Sequence, residues 1–197
     1  MRLLTLSLAL ILGASAAAAE KLSLDALSRY LNDLRTIEAQ ITQINGDGSI
    51  STGKLQIKRP GKMRFEYNPP NEGLVLVEAN SVAVFDDKSN QGPEIYPLRR
   101  TPLSIILARN VNLGQANMVT GHSFDGTATT VTAQDPEHPE YGSIELKFTG
   151  NPIELRQWIV NDAEGGSTTV VLGEKKTGHT IANRTFSIEQ AKDDQDR

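Results

Sequence analysis

Four cations stand out for their chemistry in the stretch KRPGKMRFEY, which covers residues 58–67. Basic side chains around a Pro-Gly turn could contact phosphates, but nucleic-acid binding needs a wider basic surface, and the chain has a formal net charge of −4. We therefore expect no nucleic-acid partner and interpret Lys58, Lys62 and Arg64 as charges on the solvated face of a hairpin. Arg59 differs because it precedes proline at the bend, where its guanidinium could donate to carbonyl groups of another element.

The remaining reactive residue types form no constellation for catalysis or metal binding. The chain has no cysteine, which excludes thiol catalysis and thiolate metal sites. A metal site of His138 with Asp135 or Glu137 lacks a fixed spacing, and no serine lies in a G-x-S-x-G elbow. We predict a protein that is not an enzyme, with no catalytic residue, no metal site and no cofactor.

The first nineteen residues, MRLLTLSLALILGASAAAA, predict a cleaved signal peptide over residues 1–19. One cation precedes an apolar run that is too short for a membrane span of about 20 residues, and small residues follow it. Removing this segment takes away Arg2 and no acid, so the formal net charge becomes −5. We expect residues 20–197 to be an exported, soluble single domain.

An amphipathic helix is predicted over residues 23–35, with Ser23 as N-cap. Its apolar stripe needs a surface to cover. The stripe consists of four leucines at helical spacing: Leu24, Leu27, Leu31 and Leu34.

The rest of the chain alternates apolar and polar residues between Gly, Asn, Asp and Pro turns, which predicts consecutive antiparallel strands and hence a barrel or strongly curved sheet. The predicted strands cover residues 37–42, 54–58, 63–67, 74–77, 82–85, 129–133, 143–148, 154–160, 167–172 and 185–188. We expect the tail QAKDDQDR to be frayed.

The segment TPLSIILARN interrupts the strand pattern. Thr101 as N-cap and Pro102 at the first helical position predict a short helix over residues 102–109. Leu103, Ile106 and Leu107 fall at helical spacing, so this helix should either fill a core or cover a cavity.

The order of these features resembles the LolA family of periplasmic lipoprotein carriers. The specific marks are KRPGKMRFEY after a G-x-L-x-I strand and TPLSIILARN about forty residues later. The resemblance is strong over residues 40–70 and 101–110, whereas after residue 121 only the strand pattern agrees. It implies a mainly β fold with some α, an incomplete, half-open antiparallel β-barrel covered by a helical lid.

In such a carrier, an apolar cavity receives the acyl chains of a lipoprotein, the two predicted helices form the lid, and Arg59 is the lid clasp that gates opening. Ile41 and Met63 stand where the family often has phenylalanine, which leaves the cavity size open. The residues expected to line the cavity are Ile41, Leu55, Ile57, Met63, Phe65, Leu76, Val84, Leu103, Ile106 and Leu107.

The resemblance also implies partners and a location. We expect a monomeric periplasmic chaperone that takes lipoproteins from an inner-membrane ABC-type releasing complex to an outer-membrane acceptor. Two alternatives stay open: a lipid-binding or lipid-sensing regulatory module of the same fold, and a periplasmic hydrolase with an unfamiliar site. The sequence leaves undecided which lipoproteins are carried, whether a separate acceptor exists, and whether the lid rests open or closed.

Overall fold

A computed structural model describes residues 20–70, 72–86 and 92–195. The predicted signal peptide, residues 1–19, lies outside the described residues. Over the described ranges, the chain forms eleven strands and three α-helices. The strands are β1 (Thr36–Ile44), β2 (Ile50–Lys58), β3 (Lys62–Tyr67), β4 (Gly73–Glu78), β5 (Ser81–Asp86), β6 (Glu94–Pro97), β7 (Val119–Phe124), β8 (Ala128–Gln134), β9 (Ser143–Thr149), β10 (Glu154–Asn161) and β11 (Ser167–Thr177), and the helices are α1 (Leu24–Asp33), α2 (Leu103–Leu107) and α3 (Ile188–Gln195).

All eleven strands belong to one antiparallel sheet in the order β6-β5-β4-β3-β2-β1-β11-β10-β9-β8-β7. Neighbouring strands are mostly joined by short turns, as the sequence predicted, and β1 links the two halves through β11. Within the described residues, β6 and β7 each pair with one neighbour, so the sheet does not close. The predicted fold class, an incomplete antiparallel barrel with a few helices, is confirmed.

Strand alternation places the apolar residues of the central strands on one face, called the inner face below. Ile57 pairs with Met63, and Met63 pairs with Val77, so the three side chains form one apolar row. Leu27 and Leu31 of α1 belong to the same buried cluster. The main core therefore lies between the inner face and α1.

A second, smaller cluster lies on the opposite, outer face. Leu76 pairs with Arg64 on one side and Ala83 on the other, and its side chain packs with Phe85 and with Ile188 of α3. Leu76 was predicted to line the inner cavity, and that prediction is wrong. The physical reason is the run LVLV in β4, which is apolar on both faces, so alternation alone does not select one of them.

The chain after β11 also differs from expectation. Residues 185–188 were predicted as a strand, but Asn183–Phe186 is a 3-10 turn that buries Phe186, and α3 then replaces the expected frayed tail. The alternating pattern has another origin: Phe186 is buried and its two neighbours are less buried, although this segment pairs with no strand among the described residues. Strands β6 and β7 were not predicted. Strand β6 is exposed along its whole length and therefore has no buried face that an alternating pattern could record.

Helix α2 is shorter than predicted. It covers Leu103–Leu107, with Pro102 in the N-cap position and no side-chain capping bond. The Thr101 hydroxyl instead donates to the Leu98 carbonyl oxygen of the preceding 3-10 turn, at 2.9 Å, so the prediction of Thr101 as N-cap is wrong. Ala108 leaves the helix with an extended backbone.

Candidate functional site

Helix α1 lies across the inner face with its leucine stripe turned inward. Ser23 caps it as predicted, accepting a hydrogen bond from the Ala26 amide at 3.2 Å. Leu27 and Leu31 are buried, and the two outer members of the stripe, Leu24 and Leu34, are half-buried at the border of the same cluster. The stripe therefore covers apolar strand residues, as expected of a lid.

The chain between the two edge strands β6 and β7 provides the second cover. Within it, residues 103–113 are called the α2 segment below. Ile105, Ile106 and Leu107 are buried in the same cluster as α1, whereas Leu103 is half-buried at its border. The α2 segment therefore shares with α1 the covering of the inner face.

Arg59 joins the β2–β3 turn to the α2 segment. Its Nη2 donates to the Ala108 carbonyl oxygen at 2.6 Å and lies 3.5 Å from Asn32 Oδ1. The next turn residue strengthens the same junction, because the Gly61 amide donates to the Leu107 carbonyl oxygen at 3.0 Å. The guanidinium therefore contacts another element, as the sequence suggested for a residue at this bend.

Asn32 and Ser28 of α1 hold the other side of the α2 segment, and sequence reasoning missed both. The Asn32 side chain donates to the Val111 carbonyl and accepts from the Val111 amide, both at 2.9 Å. The Ser28 hydroxyl oxygen accepts from the Leu113 amide at 3.0 Å. The one signal in the sequence is that Asn32 and Ser28 are polar residues next to the leucine stripe of an amphipathic helix. Their bonding partners could not be predicted, because they lie far away in the sequence. These three bonds and the two made by Arg59 and Gly61 are called the clasp below.

The Arg59 guanidinium is a buried cation that has no acidic partner within the described part of the chain. Only 8% of Arg59 is exposed, and, among the described residues, its Nε and Nη1 groups have no hydrogen-bond partner. Burial lowers the pKa of Arg59 below its ordinary value, and the nearby charge of Arg35 lowers it further. A buried N–H without a partner costs about 1–3 kcal/mol, so Arg59 both bonds to the α2 segment and carries an uncompensated desolvation penalty.

The residues predicted to line a cavity are mostly brought together on the inner face. Val84 lies half-buried at the border of the cluster. The buried members are Ile41, Leu55, Ile57, Met63, Phe65, Ile106 and Leu107. Leu55 and Met63 are 0% exposed, so their surroundings are filled by protein atoms. The inner face is thus packed against its cover.

Aromatic residues concentrate at one part of this inner face. Phe65 stacks on Tyr67 with ring centroids 6.1 Å apart and meets Trp158 edge-on at 6.3 Å. The Tyr67 hydroxyl donates to Gln43 Oε1 at 2.7 Å. Burial raises the pKa of Tyr67 to about 12, although the Gln43 bond acts in the opposite direction. Trp158, the single tryptophan of the chain, therefore reports on the inner face.

The three other cations of KRPGKMRFEY have partners on the outer face, so their interpretation as merely solvated charges is wrong. Lys58 Nζ donates to the Ile181 carbonyl at 2.7 Å, and Arg64 Nη1 donates to the Thr185 carbonyl at 3.3 Å. Lys62 pairs with Glu78 at 2.8 Å. Lys58 and Arg64 thus hold the chain after β11 against the outer face.

Within the described residues, the sheet is not closed, and its apolar face is covered by α1 and by the hydrogen-bonded α2 segment. This arrangement is a covered half-barrel. The family model for the outer membrane lipoprotein carrier protein LolA matches residues 32–189. The chain belongs to the LolA family. None of the helices in the described ranges is long and apolar enough to cross a membrane.

Named relatives agree with this assignment at low identity. An outer-membrane lipoprotein carrier protein of Pseudomonas aeruginosa (strain UCBPP-PA14) is 24% identical over 190 residues, covering 92% of this chain and 90% of its own. One from Methylobacillus flagellatus is 24% identical over 139 residues, covering 69% and 67%. A solved structure of a putative outer membrane lipoprotein-sorting protein domain from Vibrio parahaemolyticus has a TM-score of 0.50 at 9% identity and covers 86% of this chain and 97% of its own, which supports the fold.

Proposed function

We propose that this protein is a periplasmic carrier that binds the acyl chains of lipoproteins on its inner face and takes them from the inner to the outer membrane. The observation that carries the proposal is the cover itself: an apolar sheet face is closed by elements that are held at their rim by polar bonds. Displacing the α2 segment breaks those bonds and exposes an apolar surface to the cargo.

The energetics suit reversible binding. Each CH₂ group moved from water to an apolar surface gains about 0.8 kcal/mol, so acyl chains can replace the apolar side chains of the cover. The unpaired N–H groups of Arg59 reduce the cost of opening, while its bond to Ala108 favours closing after the cargo has left. A clasp of this kind allows both loading and release.

Loading and release require partners at two membranes. The proposal includes an inner-membrane ABC-type complex as donor and an outer-membrane acceptor, in line with the carrier names of the relatives. The formal charge of −5 expected after removal of residues 1–19 would weaken contact with anionic lipid surfaces, so a free carrier would stay in solution between its partners.

Trp158 allows a direct test of acyl binding at the inner face. Fatty acids brominated along the chain should quench Trp158 fluorescence when they bind, because the indole lies beside Phe65. In the control variant, Trp158→Phe with Ile44→Trp, the indole moves to an exposed site and quenching should disappear. Equal quenching of both proteins, or none in either, would refute the proposed site.

The carrier role is tested with spheroplasts and the purified protein. Lipoproteins should appear in the soluble fraction as a one-to-one complex, whereas recovery of free lipid alone would indicate a lipid-sensing module instead. Arg59→Leu should retain cargo longer, because leucine removes the Ala108 bond from the closed state and adds apolar contact in the loaded state. The matched control is Arg29→Leu, an exposed arginine of α1 that makes no clasp bond, which should release cargo like the wild type.

A further inference from the structure

A surface groove of about 880 Å³ lies directly beside the clasp and is called the clasp groove below. Pro60 and Gly61 of the β2–β3 turn form one wall, and Leu107, Ala108 and Arg109 form another. The groove therefore touches both elements that separate when the lid opens.

The two walls are joined by clasp bonds. The Gly61 amide donates to the Leu107 carbonyl at 3.0 Å, and Arg59 donates to the Ala108 carbonyl at 2.6 Å. If the α2 segment moves away, one wall leaves with it. The clasp groove is consequently a feature of the closed lid, and a ligand that fits it discriminates between the closed and the open state.

The clasp groove carries unbalanced positive charge in an acidic chain. Residues 97–114 contain three arginines and no acid. Arg99 and Arg109 line the groove, and in the described part of the chain neither has an acidic partner within ion-pair distance. The other charges of the groove cancel, because Lys62 pairs with Glu78 at 2.8 Å.

We infer that the clasp groove binds an extended acidic segment of a partner protein. The charges of Arg99 and Arg109 call for an anionic ligand. A protein segment fits better than a membrane, because the site is concave and because the negative net charge of the chain opposes approach to an anionic bilayer.

This inference rests on the proposed function. A partner that binds the closed lid can affect cargo only if the cargo binds when the lid is open. A ligand that prefers the closed state lowers the affinity of the protein for acyl chains. By linkage, acyl chains lower the affinity of the protein for that ligand by the same factor. An acidic segment on the protein that accepts cargo would therefore promote release at the point of contact.

The experiment uses a fluorescein-labelled hexaglutamate peptide, with hexaglutamine as the uncharged control, in anisotropy titrations at low salt. Hexaglutamate should bind and hexaglutamine should not. Reversing both groove charges, Arg99→Glu with Arg109→Glu, should weaken binding about tenfold or more. The matched control, Lys21→Glu with Lys176→Glu, makes the same change of net charge at exposed sites outside the groove and should weaken binding less than about threefold.

Three results would overturn the inference: no hexaglutamate binding, equal loss in both double variants, or, where the brominated fatty acid does quench Trp158, a hexaglutamate affinity that saturating fatty acid leaves unchanged. Vesicles of phosphatidylglycerol provide a further arm. If they bind the protein through Arg99 and Arg109 while hexaglutamate does not, the occupant is a lipid surface and the proposal is wrong. Trp158 quenching without peptide binding would leave the carrier function standing, whereas peptide binding without quenching would refute the carrier function alone.

Discussion

Replacing Asn32 with alanine should loosen the cover of the inner face. The Asn32 amide makes two hydrogen bonds of 2.9 Å with the backbone of Val111 and lies 3.5 Å from Arg59 Nη2. Alanine has a higher helix propensity than asparagine, so the substitution removes the polar group without weakening α1. Asn32→Ala therefore tests the clasp without disturbing the leucine stripe.

The expected magnitude follows from the two short bonds. A hydrogen bond between neutral groups contributes about 0.5–1.5 kcal/mol, so two of them contribute about 2 kcal/mol to closure. The 3.5 Å approach of Arg59 is too long to add much. Since 1.4 kcal/mol corresponds to a factor of ten, the equilibrium constant for opening should rise about 30-fold.

Hydrogen exchange of the Leu113 amide measures this opening. That amide donates to the Ser28 hydroxyl oxygen at 3.0 Å, so it becomes free when the α2 segment leaves α1 but is not bonded to Asn32 itself. Its protection should fall about 30-fold in Asn32→Ala. The control is Asp33→Ala, an exposed position at the end of the same helix, where the protection should stay within about twofold of the wild type.

Two outcomes would contradict this reasoning. Leu113 protection that is unchanged in Asn32→Ala would show that the Val111 bonds do not hold the α2 segment. A loss of protection spread equally over the amides of β1 and β2 would show global unfolding instead of a local opening. In either case Asn32 would not be part of a clasp.

Two further variants test the frame that carries the lid. Asp125 accepts bonds from the Ala128 and Thr127 amides and pairs with Lys147, which lowers its pKa from 3.8 to about 2. Because the pKa of Asp125 is depressed in the folded state, the stabilisation from this carboxylate is complete above about pH 4 and is lost as the pH falls towards 2. Asparagine cannot titrate. The urea midpoint of Asp125→Asn should therefore change less between pH 5 and pH 2 than that of the wild type. Ser23→Ala removes the N-cap bond of α1 and should lower the free energy of unfolding by about 1 kcal/mol, with equal midpoints arguing against the cap.

Strong periodicity made the fold largely predictable. The leucine stripe predicted a helix over residues 23–35, and α1 covers Leu24–Asp33 with the expected cap. Strict alternation likewise predicted β3 and β9 within one residue. These patterns succeed because each element has one buried face, which the period of the sequence records directly.

Positions whose environment depends on distant chain segments could not be predicted in the same way. Leu76 belongs to a run that is apolar on both faces. Its side chain packs on the outer face with Ile188 of α3, a residue far away in the sequence. Asn32 bonds to Val111, 79 residues later, and no local pattern distinguishes it from a solvated helix residue. Arg59 was predictable as a contact because the bend limits where its side chain can reach, but its unpaired N–H groups were not.

If the proposed carrier function holds, the clasp also sets a minimum length for an acyl chain that can displace the α2 segment. Displacing the α2 segment breaks the five hydrogen bonds of the clasp, which together contribute roughly 5 kcal/mol, whereas solvation of the unpaired Arg59 N–H groups returns about 1–3 kcal/mol of this cost. The apolar contacts of the segment are replaced by those of the ligand, so they largely cancel. At about 0.8 kcal/mol for each CH₂ group, offsetting the remaining roughly 2–4 kcal/mol takes about three to five methylenes beyond those that replace the apolar contacts of the segment. Quenching of Trp158 by brominated fatty acids should therefore be negligible for chains much shorter than this and rise steeply with length above it. An affinity that does not depend on chain length would show that the acyl group binds without opening the lid.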